Sequence, residues 1–105
     1  MSTYTDEVWK DTIYPPGYMV SSIGRIRNKK GKIMKTSITE DEYHRVCLCK
    51  NGKQIHKLVA VLVAKAFIPN PEHLPTVDHI NHDKNDNRVS NLRHATQSQQ
   101  NANKI

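Results

Sequence analysis

The residues best suited to do chemistry stand side by side, where an aspartate at position 78 directly precedes a histidine at position 79. Asp78 offers an anionic oxygen, which is the ligand type that hard divalent cations such as Mg²⁺ prefer. His79 carries an imidazole whose unperturbed pKa of about 6.5 leaves it largely neutral at cellular pH, so it can accept a proton from water. A metal ligand beside a general base is suited to metal-assisted hydrolysis.

The sequence after this pair predicts how the pair is held. A loop rich in Asn, Asp and Lys follows, and Asn91-Leu92 closes it, with the asparagine twelve residues after the histidine. Successive side chains of a strand point to opposite sides. Asp78 and His79 can therefore serve one site only if a strand ends there. Three elements are predicted for this part of the chain: strands over 76–79 and 92–96, and a helix over 97–104.

The first half of the chain has the pattern of short strands. Residues 18–27 alternate in the manner of two strands with a turn near Gly24. The run Lys29-Lys30-Gly31-Lys32 is predicted to form a turn, which leads to a predicted short strand over 33–35. This part of the chain therefore predicts a small β-hairpin region.

A second hairpin and a helix are predicted between these two parts. Residues 43–49 alternate with period two, and Asn51-Gly52 is a strong signal for a type I′ turn before a returning strand over 53–56. From position 56 to position 67 the apolar side chains recur on one helical stripe. We therefore predict a packing helix that begins at His56.

The stretch from Asp78 to Asn101 resembles the HNH endonucleases, in particular the phage intron-encoded and free-standing homing enzymes of that group. The upstream half resembles the small nuclease-associated modular DNA-binding motif found beside the nuclease in those enzymes. The residues that carry this second resemblance are Tyr18, Val20, Ser21, Gly24 and Arg25, with Trp9 at the place of a leading tryptophan.

This resemblance implies an α+β fold with two cooperating parts. Residues 1–57 would form a small antiparallel β-hairpin region that binds DNA. Residues 58–105 would form a linking helix followed by a ββα-metal motif, and the two parts would make one compact unit. The implied function is a metal-dependent endonuclease that cuts or nicks double-stranded DNA.

The resemblance also assigns roles to single residues. Asp78 would bind the metal, His79 would activate the water, and Asn91 would brace the loop through backbone hydrogen bonds. The third motif position lies nine residues beyond Asn91 and is Gln100, where homing nickases usually have Asn. Asn101 could replace it only if the helix started differently, because adjacent helical residues point about 100° apart. The expected cofactor is Mg²⁺ or Mn²⁺, with no organic cofactor.

Positive charge is concentrated in the middle of the chain. The net charge is +6, and residues 25–57 hold ten basic against three acidic residues. This predicts a platform for a polyanion, although a solvated face has the same composition. With the resemblance, the expected partner is double-stranded DNA, whose major groove admits a two-stranded ribbon. The residues expected to contact DNA are Arg25, Arg27, Lys29, Lys30, Lys32, Arg45, Lys50, Lys53, His56 and Lys57.

Other classes of function find less support in the sequence. There is no long apolar run for a membrane span and no visible secretory signal, so we expect a cytoplasmic protein of a bacterial or phage-infected cell. No small-molecule substrate is expected, and the chain should be a monomer or a weak dimer. Cys47 and Cys49 are too close together to staple the fold and are expected to be reduced strand residues.

Two alternatives stay open at the level of sequence. A structural zinc site using His79, His82 and His94 is conceivable, but a fourth ligand is missing. A non-catalytic DNA-binding module that keeps a degenerate nuclease fold is the other alternative, and the Gln at position 100 is its main support.

Overall fold

The computed structural model of the chain describes residues 7–12, 17–96 and 98. Its strands form three small antiparallel sheets, ordered β1-β2-β3, β4-β5-β6 and β7-β8. This is the α+β arrangement of small antiparallel sheets and a linking helix that the sequence predicted. The described elements are β1 (Trp9–Asp11), β2 (Met19–Ser21), β3 (Ile26–Arg27), β4 (Ser37–Ile38), β5 (His44–Lys50), β6 (Lys53–Leu58), α1 (Val59–Phe67), β7 (Thr76–His79), a 3-10 turn (Val89–Asn91) and β8 (Leu92–Ala95).

Helix α1 lies at the centre of the hydrophobic core. The helix contacts strands of all three sheets. None of these sheets has enough apolar surface to bury a core alone, so the helix supplies the surface that they share. Each fully buried Val or Leu contributes about 1.5–3 kcal/mol relative to an exposed one. The core residues are Val20, Ile26, Val46, Leu48, Val59, Ala60, Leu62, Val63 and Leu92.

The predicted start of the helix at His56 is wrong. Strand β6 continues to Leu58, because His56 is paired with Cys47 and Leu58 with Arg45 in the β5–β6 ladder. Leu58 itself has extended backbone, and the helix begins at Val59. Cross-strand hydrogen bonds thus override the apolar spacing that suggested an earlier helix start. Strand β6 also runs across the predicted boundary at residues 57 and 58, and the division into two regions stays a prediction.

The predicted hairpins are found with small shifts in their ends. Asn51 and Gly52 both have positive φ, at 52° and 77°, as a type I′ turn requires. The predicted strand over 33–35 is reduced to a single bridge between Ile33 and Arg27. The predicted helix over 97–104 lies outside the described residues, except Ser98, whose backbone is helical.

The remaining expectations concern the thiols and the membrane. Cys47 is half-buried and Cys49 exposed, both as free cysteines, in agreement with the prediction. Within the described part of the chain, no helix has the length and apolar character needed to cross a membrane.

Candidate active site

The candidate site lies where strand β7 ends. In the β7–β8 ladder Asp78 is opposite Arg93, and His79 is opposite Leu92. Asp78 and His79 are both 5% exposed, whereas the next residue, Ile80, is 48% exposed. The chain therefore leaves the interior directly after the histidine, as the sequence predicted from the need for both side chains to serve one site.

The imidazole of His79 is held by a second buried side chain. Its Nε2 lies 2.7 Å from Oδ1 of Asn87, and Asn87 is only 6% exposed. The ring of Tyr43 lies against the imidazole with 6.0 Å between the ring centroids. Sequence reasoning missed Asn87 because the loop also contains Asn81 and Asn85, and composition does not tell which amide turns inward.

The carboxylate of Asp78 is bound by its cross-strand neighbour. Arg93 donates from Nε to Oδ2 of Asp78 at 3.0 Å, and its Nη2 lies 3.0 Å from the same oxygen. The Arg93 side chain is 52% exposed while that of Asp78 is 7% exposed. A buried carboxylate is costly without a partner, so Arg93 stabilises the anion that the site needs. Arg93 was not among the predicted site residues.

Asn91 connects the two ends of the polar loop. Its Oδ1 accepts a hydrogen bond from the Asn81 backbone at 3.0 Å, and its Nδ2 donates to the Asp86 backbone carbonyl at 2.9 Å. Its own carbonyl accepts from the Ile80 backbone N–H at 2.8 Å. These are the contacts of a loop brace. The effect of Asn91 on activity stays a prediction.

A carboxylate–guanidinium pair stiffens the loop on its outer side. Arg88 donates from Nε and Nη2 to the two carboxylate oxygens of Asp86, both at 2.7 Å. The hydrogen bonds from Arg88 hold the pKa of Asp86 below its usual value, and the Asp86 carboxylate in turn raises the pKa of Arg88. The pair faces solvent, where such ion pairs add little stability. Its main effect is therefore on the conformation of the loop.

The same loop is attached to the second sheet. Lys84 donates from Nζ to the Asp41 carbonyl at 2.6 Å and lies 4.6 Å from the ring centroid of Tyr43. Asn85 Oδ1 lies 2.6 Å from Nε2 of His44. Tyr43 thus has Lys84 on its ring and His79 beside it. The site loop is held by residues that precede the helix in the sequence.

The first sheet contacts the loop from another side. The Val89 backbone N–H donates to the Ser22 carbonyl at 2.9 Å. Gly24 has a φ of +93°, and a Cβ placed there would lie 2.9 Å from the Cβ of Asn87. Only a glycine allows this approach with this backbone. The turn at Gly24 and the residue that binds His79 are therefore in direct contact.

The donor set favours a hard cation over zinc. Asp78 supplies a carboxylate oxygen, whereas Gln100 and Asn101 lie outside the described residues. Among residues 7–12 and 17–96, no three His, Cys, Asp or Glu side chains are grouped to hold a metal. His94 binds the Ile68 carbonyl through Nε2 at 2.9 Å. The zinc alternative is therefore unsupported among the described residues, whereas the carboxylate of Asp78 is the ligand type that hard divalent cations prefer.

The predicted DNA-contacting residues fall into two groups. Arg25 and Arg27 are half-buried beside Trp9, with their guanidinium carbons 5.5 Å and 4.2 Å from its ring centroid. Arg25 also binds the carboxylate of Glu7, and this hydrogen bonding lowers the pKa of Glu7. Lys50 and Lys57 are half-buried as well. The fully exposed members are Lys29, Lys30, Lys32, Arg45, Lys53 and His56.

Two family models match the chain, and together they cover both halves. The model described as HNH endonuclease matches residues 57–102, and the model described as NUMOD4 motif matches residues 7–49. The first match contains the Asp78–His79 site. The second contains the turn at Gly24 and Tyr43, which directly precedes β5. The two matched segments are thus the ones that meet around Asn87.

Individual relatives agree with these models. The DNA endonuclease I-HmuI of Bacillus phage SP01 is 39% identical over 95 residues, which cover 85% of this chain and 52% of that protein. The HNH endonuclease L247 of Acanthamoeba polyphaga mimivirus, itself uncharacterized, is 34% identical over 110 residues, covering 94% of this chain and 27% of that protein. The chain thus spans about half of the phage relative and about a quarter of the mimivirus one.

A solved structure has the same fold. This structure carries the description "DNA binding and cleavage by the HNH homing endonuclease I-HmuI". It superimposes on this chain with a TM-score of 0.81, and the two sequences are 39% identical. The match covers 91% of this chain and 56% of that chain. Both the sequence similarity and the fold similarity therefore extend over nearly all of the chain.

Proposed function

Because this chain belongs to the HNH endonucleases of the homing type with an upstream NUMOD4 motif, we propose that it is a divalent-metal-dependent enzyme that hydrolyses phosphodiester bonds of double-stranded DNA. The observation that carries the proposal is the buried Asp78–His79 pair at the end of β7. A hard-metal ligand and a base are held there next to each other, and a rigid polar loop closes over them.

The roles proposed for His79, Asn91 and Arg93 are supported by their contacts, and the metal-binding roles of Asp78 and Gln100 by their type of ligand oxygen. His79 takes a proton from the attacking water, which requires a neutral imidazole fixed in one orientation. Asp78 would provide a carboxylate oxygen for Mg²⁺ or Mn²⁺, and Gln100 would provide a second oxygen. A bound ion of this kind stabilises negative charge on the phosphate and on the leaving oxygen. Asn91 keeps the loop closed and does not touch the ion. Arg93 neutralises Asp78 when no ion is bound.

DNA binding is assigned to the exposed cations of the upstream half. Lys29, Lys30 and Lys32 lie together in and beside the turn after β3, and Arg45 and Lys53 lie on the β5–β6 hairpin. Exposed ammonium and guanidinium groups can reach phosphates without losing an internal partner. Arg25 would first have to leave the carboxylate of Glu7. We therefore expect it to support the surface on which the exposed lysines stand.

A second candidate function is a DNA-binding module without catalysis. Two observations favour it: Gln100 stands where homing nickases usually have Asn, and Arg93 already occupies Oδ2 of Asp78. In this case the pair at β7 would be a remnant that still supports the fold. DNA binding would then be independent of divalent cations.

A plasmid-nicking assay separates the two candidates. The proposed enzyme converts supercoiled to relaxed or linear DNA in Mg²⁺ or Mn²⁺ and stops in chelator. His79→Ala should lose this activity, whereas His73→Asn should keep it, because His73 is exposed in a different loop. Asparagine tolerates the positive φ of position 73. Binding without cleavage in every metal would establish the non-catalytic module.

The proposal also gives a place of action. A DNA-cutting protein with relatives of phage origin would act in the cytoplasm of a bacterial or phage-infected cell. We propose that it works as a monomer or a weak dimer, which sedimentation with and without a DNA duplex would measure.

A further inference from the structure

The bond between His79 and Asn87 decides which ring nitrogen carries the proton. The oxygen of an amide accepts hydrogen bonds and cannot donate one. Oδ1 of Asn87 lies 2.7 Å from Nε2, and a neutral ring makes this hydrogen bond when its proton is on Nε2. The lone pair that can accept a proton from water is then on Nδ1. A base that is 5% exposed and binds a partner that is 6% exposed has little freedom to rotate.

Asn87 is itself fixed from two directions. Its Cβ and its carbonyl oxygen are so close to Gly24 that a Cβ there would lie 2.9 Å and 3.1 Å from them. The neighbouring carbonyl of Asp86 accepts a hydrogen bond from Asn91 at 2.9 Å. The turn of the first sheet and the loop brace therefore both fix the position of the amide that orients the base.

We propose that Asn87 is a positioning residue that holds the imidazole of His79 in the Nε2–H form, and that the Gly24 turn of the upstream motif keeps Asn87 in place. The catalytic part of this proposal rests on the proposed function, because the tautomer of His79 affects the reaction only if His79 acts as the base. It adds a contribution of the upstream motif to the reaction besides DNA binding. The two segments matched by separate family models are in contact here, and the proposed orientation of His79 depends on both.

The loop contains a matched pair for comparison. Asn85 Oδ1 lies 2.6 Å from Nε2 of His44, which is the same type of bond two residues away. Asn85 is exposed and His44 lies on the second sheet, in strand β5. A change of loop stiffness affects both pairs, whereas a specific effect on the base affects only the Asn87 pair.

The first experiment measures the tautomer directly by nitrogen NMR of the histidine rings in the full chain, without metal and at a pH where the rings are neutral. His79→Gln identifies the signals of His79. In the parent protein we expect a proton on Nε2 of His79. In Asn87→Ala the two ring nitrogens should shift toward the values of a tautomer mixture, and in Asn85→Ala they should not. A parent ring with its proton on Nδ1, or unchanged His79 signals in Asn87→Ala, would overturn the assignment.

The second experiment measures cleavage rates at saturating and at limiting DNA. Asn87→Ala should lower kcat by about 10–100-fold with little change in KM, by analogy with the loss when the partner that orients a metal-ligating histidine is removed. Asn87→Asp retains an acceptor oxygen and should recover part of the rate. Asn85→Ala should stay near the parent rate. Equal losses in Asn85→Ala and Asn87→Ala would reduce the role of Asn87 to loop stability and overturn the proposal.

The two experiments together distinguish failure of the positioning role from failure of the proposed function. If the NMR result is as expected and no preparation cleaves DNA, the orientation of His79 by Asn87 is supported and the proposed function is overturned. If the parent cleaves DNA and the NMR signals do not depend on Asn87, the proposed function is supported and the positioning role is overturned. Melting curves of both alanine variants show whether the fold is intact.

Discussion

The two hairpins that follow β4 are built in opposite ways. The β5–β6 hairpin closes with two residues, Asn51 and Gly52, and its outer face leaves Arg45, Gln54 and His56 exposed. The β7–β8 hairpin closes with a long loop over 80–91, whose polar side chains bind other parts of the protein. The first arrangement leaves groups available to a partner, whereas the second holds Asp78 and His79 in place. Under the proposed function, DNA contact and catalysis would therefore use different kinds of polar surface.

The strongest test of the fixed region is removal of the carboxylate of Asp78, the proposed metal ligand. Asp78→Ala should abolish cleavage, and chelation of divalent cations should do the same in the parent. Gln100→Asn should hold or raise the activity if position 100 supplies the second oxygen. The measurement is the nicking rate across Mg²⁺ and Mn²⁺ concentrations. An unchanged rate in Gln100→Ala would transfer the role to Asn101 or to water.

The loop brace gives the next largest effect. Asn91→Ala should lower both the melting temperature and the cleavage rate, because it leaves buried backbone groups of the loop unpaired at about 1–3 kcal/mol. Ser90→Ala, a change of an exposed neighbour, is the control and should alter neither. Thermal unfolding followed by circular dichroism measures the first effect. Full stability with lost activity would instead indicate a direct catalytic role for Asn91.

Removal of positive charge from the exposed region should weaken the affinity for DNA and leave the stability of the fold unchanged. Replacing Lys29, Lys30 and Lys32 by Gln should weaken binding to all sequences, and the log–log slope of affinity against salt should fall by about one for each phosphate that is no longer neutralised. Replacing Arg25 and Arg27 should lower the melting temperature, because Glu7 and Trp9 lose their partners. The assignment is wrong if the two Arg changes weaken binding more than the three Lys changes and leave the fold intact.

The smallest effect concerns acid stability. Arg25 holds the pKa of Glu7 below its ordinary value of 4.5. Since the folded value is the lower one, the pair stabilises the fold above that pH, and this contribution is lost as the pH falls through the lowered pKa. Glu7→Gln should therefore be less stable than the parent near neutral pH and should approach it in acid. Glu72→Gln, at an exposed position, is the control for charge alone.

The features predicted correctly from sequence are those set by neighbouring residues. The end of β7 at His79 followed from the side-chain alternation of one strand and the polar loop after it. The turn at Asn51-Gly52 followed from the backbone preference of two residues. Both depend on local physical chemistry, and the structure has both.

The features that sequence reasoning missed depend on contacts between distant residues. The apolar spacing alone predicts that α1 begins at His56, because this spacing contains no information on the pairing of β6 with β5. Asn87 could not be separated from the other asparagines of its loop, since the contact with Gly24 selects it. Arg93 reaches Asp78 only in the register of the β7–β8 ladder. Such register is fixed by tertiary packing rather than by the residue pattern.

The measurement that tests the central claim most directly is a pair of assays on the same two variants. Cleavage of plasmid DNA and binding of a DNA duplex would be measured for His79→Ala and for the variant with Gln at positions 29, 30 and 32. We predict that His79→Ala binds like the parent and cleaves about 10²–10⁴-fold more slowly. We predict that the lysine variant binds weakly and keeps the parent rate at saturating DNA. Parent-like cleavage by His79→Ala would contradict the assignment of His79 as the base.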